Sequence, residues 1–153
     1  MFITRVIQTL NTHQVRYALV GGYAVALHGV VRGTVDIDVV INLQKAQFTA
    51  VERALTDIGL QSRLPVSGEE VFDFREEYIQ NRNLIAWSFY NPKNPLEVVD
   101  ILITEDARKI QTIEKSVDRL KIQVASISDL IRMKTLSGRP QDVEDVKALE
   151  KLM

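Results

Sequence analysis

Apolar positions recur along this chain with two periods, and each period marks a different kind of element. Phe2, Val6 and Leu10 fall at the helical repeat, which predicts an amphipathic helix from about Phe2 to Thr12. Tyr17-Ala18-Leu19-Val20 is a short apolar run ahead of two glycines and predicts a buried strand. The alanine-rich stretch from Gly22 to Leu27 predicts a short helix, and Gly29 and Gly33 bracket a loop. Val35 to Ile41 alternates between faces as a strand does. Gln44 to Ile58 predicts a helix that stops at Gly59.

Pro65, Ser67 and Gly68 mark a turn. Asn83 to Tyr90 and Leu96 to Ile103 are rich in β-branched and aromatic residues, and Asn91-Pro92-Lys93-Asn94-Pro95 between them cannot continue a ladder. The pair predicts a β-hairpin with a longer loop. Thr104 to Lys115 is expected to be helical and Leu120 to Ala125 a short strand. Ser126 can cap a helix that runs to Leu136, with Asp129 at its third position and Gly138 ending it. Pro140 opens a final helix to Leu152, where its missing N–H costs nothing. The pattern is α+β: a small mixed sheet flanked by helices, with helices at the C-terminus. The strands are too few, and partly joined by a hairpin, for a doubly wound fold.

Composition narrows the classes. At 153 residues the chain is expected to form one domain, 1–153, with a core of its own. Nineteen basic and twenty acidic residues leave a net charge of −1, which argues against a strongly basic nucleic-acid binder while leaving room for a local basic patch. Without cysteine there is no disulfide framework, thiolate metal site or cysteine nucleophile. No apolar run reaches membrane-spanning length, and Met1-Phe2-Ile3-Thr4-Arg5 does not open like a signal peptide, so a cytoplasmic location is expected.

The candidate chemistry begins at Val35-Asp36-Ile37-Asp38-Val39-Val40-Ile41. On a strand, Asp36 and Asp38 share one face about 7 Å apart, while Ile37, Val39 and Ile41 face a core. Like charges on a buried strand repel each other and resist desolvation, so they call for a compensating cation. A divalent metal, or a pair of them, is the simplest candidate. Asp100 likewise interrupts an apolar strand face with Val98 and Leu102. If the two strands are neighbours, Asp36, Asp38 and Asp100 converge, and an oxygen-only site favours magnesium or manganese over zinc. Solvated edge-strand charges are the competing explanation.

Val20-Gly21-Gly22 ends a strand and opens a helix, where free backbone N–H groups and partial positive charge suit a phosphate. A tight turn would explain the glycines equally well. Neither the dinucleotide fingerprint nor a P-loop is present. The order strand, Gly-Gly, short helix, Asp-x-Asp strand sets a phosphate cradle beside a metal site, with Arg32 and Thr34 able to offer a cation and a hydroxyl. A nucleoside triphosphate with magnesium fits both halves.

Taken together, Val20-Gly21-Gly22, Asp36-Ile37-Asp38 and the later Asp100 resemble the DNA polymerase beta-like nucleotidyltransferase superfamily. Gly21-Gly22-Tyr23-Ala24, Gly29 and Arg32-Gly33-Thr34-Val35-Asp36-Ile37-Asp38 look like the AbiEii-type members, which include abortive-infection toxins. The segments Leu130-Ile131-Arg132-Met133-Lys134 and Arg139-Pro140-Gln141-Asp142-Val143-Glu144-Asp145 resemble the same group. The segment from Gln61 to Arg82 matches no part of it. The resemblance implies the polymerase beta palm-like fold and transfer of a nucleotide from an NTP to an acceptor, with release of pyrophosphate. Asp36 and Asp38 would hold two metal ions. Asp100 would bind the ion nearer the acceptor and help remove the acceptor proton, and Gly21 and Gly22 would hold the terminal phosphates. A toxin–antitoxin or phage-defence setting, with a cognate antitoxin, is implied in the same way.

The C-terminal helices add an argument from spacing. Ile127, Leu130, Ile131 and Lys134 share a face, as do Asp142, Val146, Leu149 and Met153. A lysine and an aspartate on apolar faces need partners. Either they pair with each other, or Lys134 reaches the triphosphate and Asp142 orients it. Asp145 lies further round and is expected to face solvent, as are Arg132 and Arg139. His13 and His28 read as helix-end or packing residues, and Trp87, Phe89, Tyr90 and Tyr23 as packing. The acceptor is left as an RNA end, a protein side chain or a small molecule. The rival readings are an inactive nucleotide- or partner-binding module of the same fold, and a self-associating subunit whose site a partner chain completes.

Overall fold

The structure is a computed structural model that describes residues 1–33 and 36–153. Thr34, expected to offer a hydroxyl to the ligand, and Val35, expected to open a strand, lie outside the described residues.

The elements run α1 (Phe2–Thr12), β1 (Tyr17–Val20), α2 (Gly21–Leu27), β2 (Ile37–Ile41), α3 (Lys45–Asp57), β3 (Gln61–Ser62), α4 (Gly68–Asp73) and α5 (Arg75–Arg82). After these come β4 (Ala86–Asn91), β5 (Asn94–Leu102), a single 3₁₀ turn (Ala107–Lys109), β6 (Thr112–Val117), β7 (Leu120–Ala125), α6 (Ile127–Ser137) and α7 (Pro140–Glu150). Among the described residues the strands form one mixed seven-stranded sheet in the order β3-β4-β5-β2-β1-β7-β6. The class is therefore α+β, as expected, with a wider sheet than the pattern suggested.

Two strands were not anticipated. β6 occupies part of the stretch expected to be helical, Thr104 to Lys115. Asp106 breaks that segment: its carboxylate accepts the N–H groups of Arg108 at 3.0 Å and Leu43 at 3.3 Å, closing one tight turn instead of a helix. The chain then pairs antiparallel with β7 through a two-residue turn in which Asp118 and Arg119 take φ of +49° and +66°. The unplaced segment after Gln61 forms β3, α4 and α5. Ser67, read as part of a turn, is the cap of α4, and its side chain accepts the Glu70 N–H at 3.2 Å. The β4–β5 hairpin is tighter than expected: Asn91 pairs with Asn94 across Pro92-Lys93, and Pro95 enters β5 near its start, where a missing donor is tolerated.

Strand alternation gives the sheet two unlike faces. Ile37, Val39, Ile101, Val99, Trp87 and Phe89 are all fully buried on one face. Phe48 of α3 stacks on Trp87 with ring centroids 6.0 Å apart, and Phe72 of α4 meets Phe48 edge-on at 5.4 Å. Gly68 lets α4 approach this closely, because a Cβ there would lie 2.5 Å from the Phe48 carbonyl oxygen. The opposite face carries the candidate chemistry. Register places Val20, Asp38, Asp100 and Ser88 in one row across β1, β2, β5 and β4. α6 packs on α2 and α7 on α6, which brings the C-terminal helices over the ends of those strands.

Candidate active site

Parallel pairing of β2 with β5 sets Asp38 directly beside Asp100. Ser88 Oγ donates to Asp100 Oδ1 at 2.5 Å from the next strand. Asp36 precedes β2 instead of standing within it, so strand alternation does not place it as the sequence implied. It is exposed at the mouth of the site and still lines the same cavity as Asp38 and Asp100. Burial, then the Asp100 charge and hydrogen bond, then Asp36 push the Asp38 carboxyl up to about 7, against the pull of Lys134. Burial and Asp100 also raise Asp36, against Arg63.

Gly21 shapes this corner. Its φ is +68°, and a Cβ there would stand 2.1 Å from Asp38 Oδ2. Only a residue without a side chain lets β1 turn into α2 over the Asp38 carboxylate.

Two cavities meet at these carboxylates. One, of about 530 Å³, is lined by Asp36, Asp38 and Asp100 together with an apolar wall of Ile85, Leu102 and Leu136. Ile85 and Leu136 are 61% and 73% exposed. The other, of about 720 Å³, is lined by Gly22, Arg32, Gly33 and Gln141 and shares Asp36, Asp38, Lys134, Arg139 and Asp142 with the first. Gly21 and Gly22 thus fall on different cavities.

Lys134 and Asp142 pair with each other, at 3.2 Å, and both also line the two cavities. Neither of the two expectations for them therefore excludes the other. Asp142 also reaches back to the N-terminus of α7, accepting the Arg139 N–H at 3.1 Å and Arg139 Nε at 2.9 Å. Burial would raise its carboxyl, but hydrogen bonds from Arg139, Ser137, the Arg139 backbone and Lys134 outweigh that and hold it below the usual carboxylate range.

One expectation is corrected here, and the expected exposure of Arg132 and Arg139 holds. Asp145 does not face solvent: it is 2% exposed, is paired with Arg32, and lies 3.0 Å from Lys134 Nζ. Its place one helical turn after Asp142 was a signal, but Arg32 lies 113 residues earlier and could not be foreseen. Arg139 is exposed as expected, yet it lines both cavities. Arg132 is half exposed and paired with Glu105 at 2.9 Å. His28 donates to the Ala125 carbonyl at 2.8 Å and His13 meets Asp57 at 2.6 Å, both at helix ends. Tyr23 packs against the core.

Among the described residues, no three His, Cys, Asp or Glu side chains are already arranged around one metal position. The donor chemistry of Asp36, Asp38 and Asp100 nevertheless suits a hard divalent cation. They are oxygen donors only, and burial together with mutual repulsion holds Asp36 and Asp38 above their ordinary range, which a bound cation would relieve.

Residues 1–152 match the family model described as "Nucleotidyltransferase of unknown function (DUF6036)". The chain belongs to this nucleotidyltransferase family. Among solved structures, the nucleotidyltransferase resembles the lincosamide antibiotic adenylyltransferase LnuA with lincomycin bound, at TM-score 0.64 and 18% identity over 99% of this chain and 96% of that one. It resembles ANT(2″)-Ia in complex with adenylyl-2″-tobramycin at TM-score 0.59 and 12% identity, over 98% and 90% of the two chains. An antigenic nucleotidyltransferase-like protein from Paracoccidioides brasiliensis matches at TM-score 0.60 and 19% identity, over 95% and 72%. At these identities the likeness establishes the shared fold. No curated protein matches the sequence. No helix among the described residues is long and apolar enough to cross a membrane.

Proposed function

We propose that this nucleotidyltransferase moves a nucleoside monophosphate from an NTP to an acceptor and releases pyrophosphate. The observation that carries this reading is the meeting of Asp36, Asp38 and Asp100 in one cavity with Lys134 and Arg139 on its rim. Carboxylates and cations facing one space suit a metal-bound polyphosphate better than either partner alone.

In this reading Asp36 and Asp38 hold two Mg²⁺ (or Mn²⁺) ions, and Asp100 joins them on the acceptor side. When bound, the metal neutralises phosphate charge and lowers the cost of attack at the α-phosphorus. Gly21 and Gly22 offer backbone N–H groups at the start of α2. Arg32 and Lys134 hold the triphosphate in the cavity they both line, and Asp142 orients Lys134. The acceptor oxygen bonds to the α-phosphorus, and the bond from that phosphorus to the bridging oxygen breaks. Asp100, fixed by Ser88, takes the acceptor proton, and pyrophosphate leaves past Lys134 and Arg139.

The acceptor then occupies the other cavity. Its exposed Ile85 and Leu136 favour a small molecule with an apolar body over an RNA end or a protein side chain. The LnuA structure is lincomycin-bound and the ANT(2″)-Ia structure is a complex with adenylyl-2″-tobramycin. We read residues 1–153 as one catalytic domain acting in the cytoplasm. The AbiEii-type motif resemblance supports a toxin–antitoxin or phage-defence role, which growth arrest on induced expression, abolished by Asp38→Ala, would reveal.

The deciding experiment incubates the protein with each α-³²P-labelled NTP, Mg²⁺ and separated cellular RNA, protein and small-molecule fractions. Label in the small-molecule fraction, absent with Asp36→Ala/Asp38→Ala, is the expected result. Label in RNA or protein moves the acceptor class. MgATP binding without transfer makes the chain an inactive binding module or a subunit that needs a partner. Absence of both transfer and binding refutes the reading.

A further inference from the structure

Arg32, Asp145, Lys134, Asp142 and Arg139 form a chain of alternating charge that ties the distant Arg32 segment to the consecutive helices α6 and α7. Arg32 pairs with Asp145; Asp145 Oδ2 lies 3.0 Å from Lys134 Nζ; Lys134 lies 3.2 Å from Asp142; and Asp142 lies 2.9 Å from Arg139. The two carboxylates are 1% and 2% exposed, whereas Arg32 and Lys134 keep 19% and 11% and Arg139 keeps 74%. Asp145 therefore sits behind the cations, while Asp142, though buried, still touches the cavity. All three cations line the cavity that also holds Gly22, Asp36 and Asp38.

Asp145 is the member of this chain with the most connections between elements. Beyond Arg32 and Lys134 it accepts Gln141 Nε2 at 3.0 Å. Arg32 belongs to the segment between α2 and β2, where Gly29, Val31 and Gly33 are exposed. That segment is held at one end by the His28 contact to the Ala125 carbonyl. Arg32 ties its middle to α7. A lone buried carboxylate would be costly, and two cations shared by it recover that cost only while both stay close. Asp145 thus fixes the spacing of Arg32 and Lys134.

We propose that Asp145 is a positioning residue for the triphosphate: it does not touch the ligand but holds Arg32 and Lys134 side by side for the β- and γ-phosphates. The proposal rests on the reading of this cavity as the NTP site. It predicts a selective loss, because a ligand without β- and γ-phosphates has no use for the pair.

The test measures MgATP and AMP affinity by titration calorimetry for the wild type, Asp145→Asn, Arg32→Gln and the double variant, with folding checked by thermal melts. Asp145→Asn is expected to weaken MgATP at least tenfold while AMP affinity stays within about twofold. The double variant is expected to lose less than the product of the two single losses, since each breaks the same tie. Equal losses for MgATP and AMP would reduce Asp145 to structural support and overturn the proposal. Unchanged MgATP affinity in Asp145→Asn would overturn it, and so would tighter binding, which would make Asp145 a competitor for the cations. If Asp145→Asn does not fold, Asp145→Glu keeps the charge one methylene out of place and is expected to show the same split; equal losses there also overturn the proposal. A wild type that binds no MgATP refutes the NTP reading of the cavity itself, a separate outcome.

Discussion

Asp38 illustrates how a functional residue works against the fold that presents it. Asp100 stands beside it in register and burial raises its carboxyl to about 7. Replacing Asp38 with Asn removes a like charge from a crowded corner and keeps the side-chain shape. Asp38→Asn is therefore expected to raise the urea midpoint of the metal-free protein. Addition of Mg²⁺ is expected to stabilise the wild type but not the variant. Asp106 is the opposite case. The Arg108 side chain outweighs burial, and with the backbone N–H groups of Arg108 and Leu43 it holds the carboxyl down at about 2. Its folded value lies below the unfolded one of about 3.9, so its contribution is present above that pH and is lost as pH falls toward 2. Asp106→Asn is expected to cost about 1.5–3 kcal/mol at pH 7, the range for hydrogen bonds to a charged group. Urea denaturation at decreasing pH should show the two proteins converging below pH 4.

At the scale of elements, local chemistry decided much of the outcome. The apolar repeat of Phe2, Val6 and Leu10 marked α1 correctly from Phe2 to Thr12. Ser126 caps α6 by accepting the Asp129 N–H at 3.2 Å, and Gly138 ends that helix with φ +66°. The β6–β7 hairpin escaped notice because its turn residues, Asp118 and Arg119, are not the glycines that usually signal such a turn. A side chain at Arg119 pays a penalty for its left-handed backbone. Arg119→Gly is expected to stabilise the protein by about 1 kcal/mol, read as a rise in the thermal midpoint. β3 escaped for another reason: with two residues it has no pattern of its own, and it exists only as an extra rung against β4.

For the whole molecule, the consequence of the sheet order is a division of labour between two cavities that share Asp36 and Asp38. Arg32 lies on one side only and the exposed Ile85 and Leu136 on the other, while Lys134 and Arg139 line both. Leu136→Asp, on the apolar side, is expected to cut nucleotidyl transfer at least tenfold while MgATP affinity stays within about twofold. Filter-binding of labelled ATP beside the transfer assay would check this. Loss of both together would mean that the apolar wall holds the nucleotide base instead.

The amino-acid sequence by itself determined what depends on neighbours along the chain: most helices and strands, the caps, the glycine turn, and the choice of Asp36, Asp38 and Asp100 as candidates. Periodicity and turn chemistry act over a few residues, so they leave a readable trace. Tertiary structure alone decided which strands pair and which charges meet. The parallel register of β2 with β5 sets Asp38 against Asp100, and nothing near either residue encodes that register. The same holds for Asp145. Its position on α7 is visible in sequence, but its burial depends on Arg32 reaching it from a distant loop. A carboxylate is stable in such a place only when the folded chain brings a cation to it.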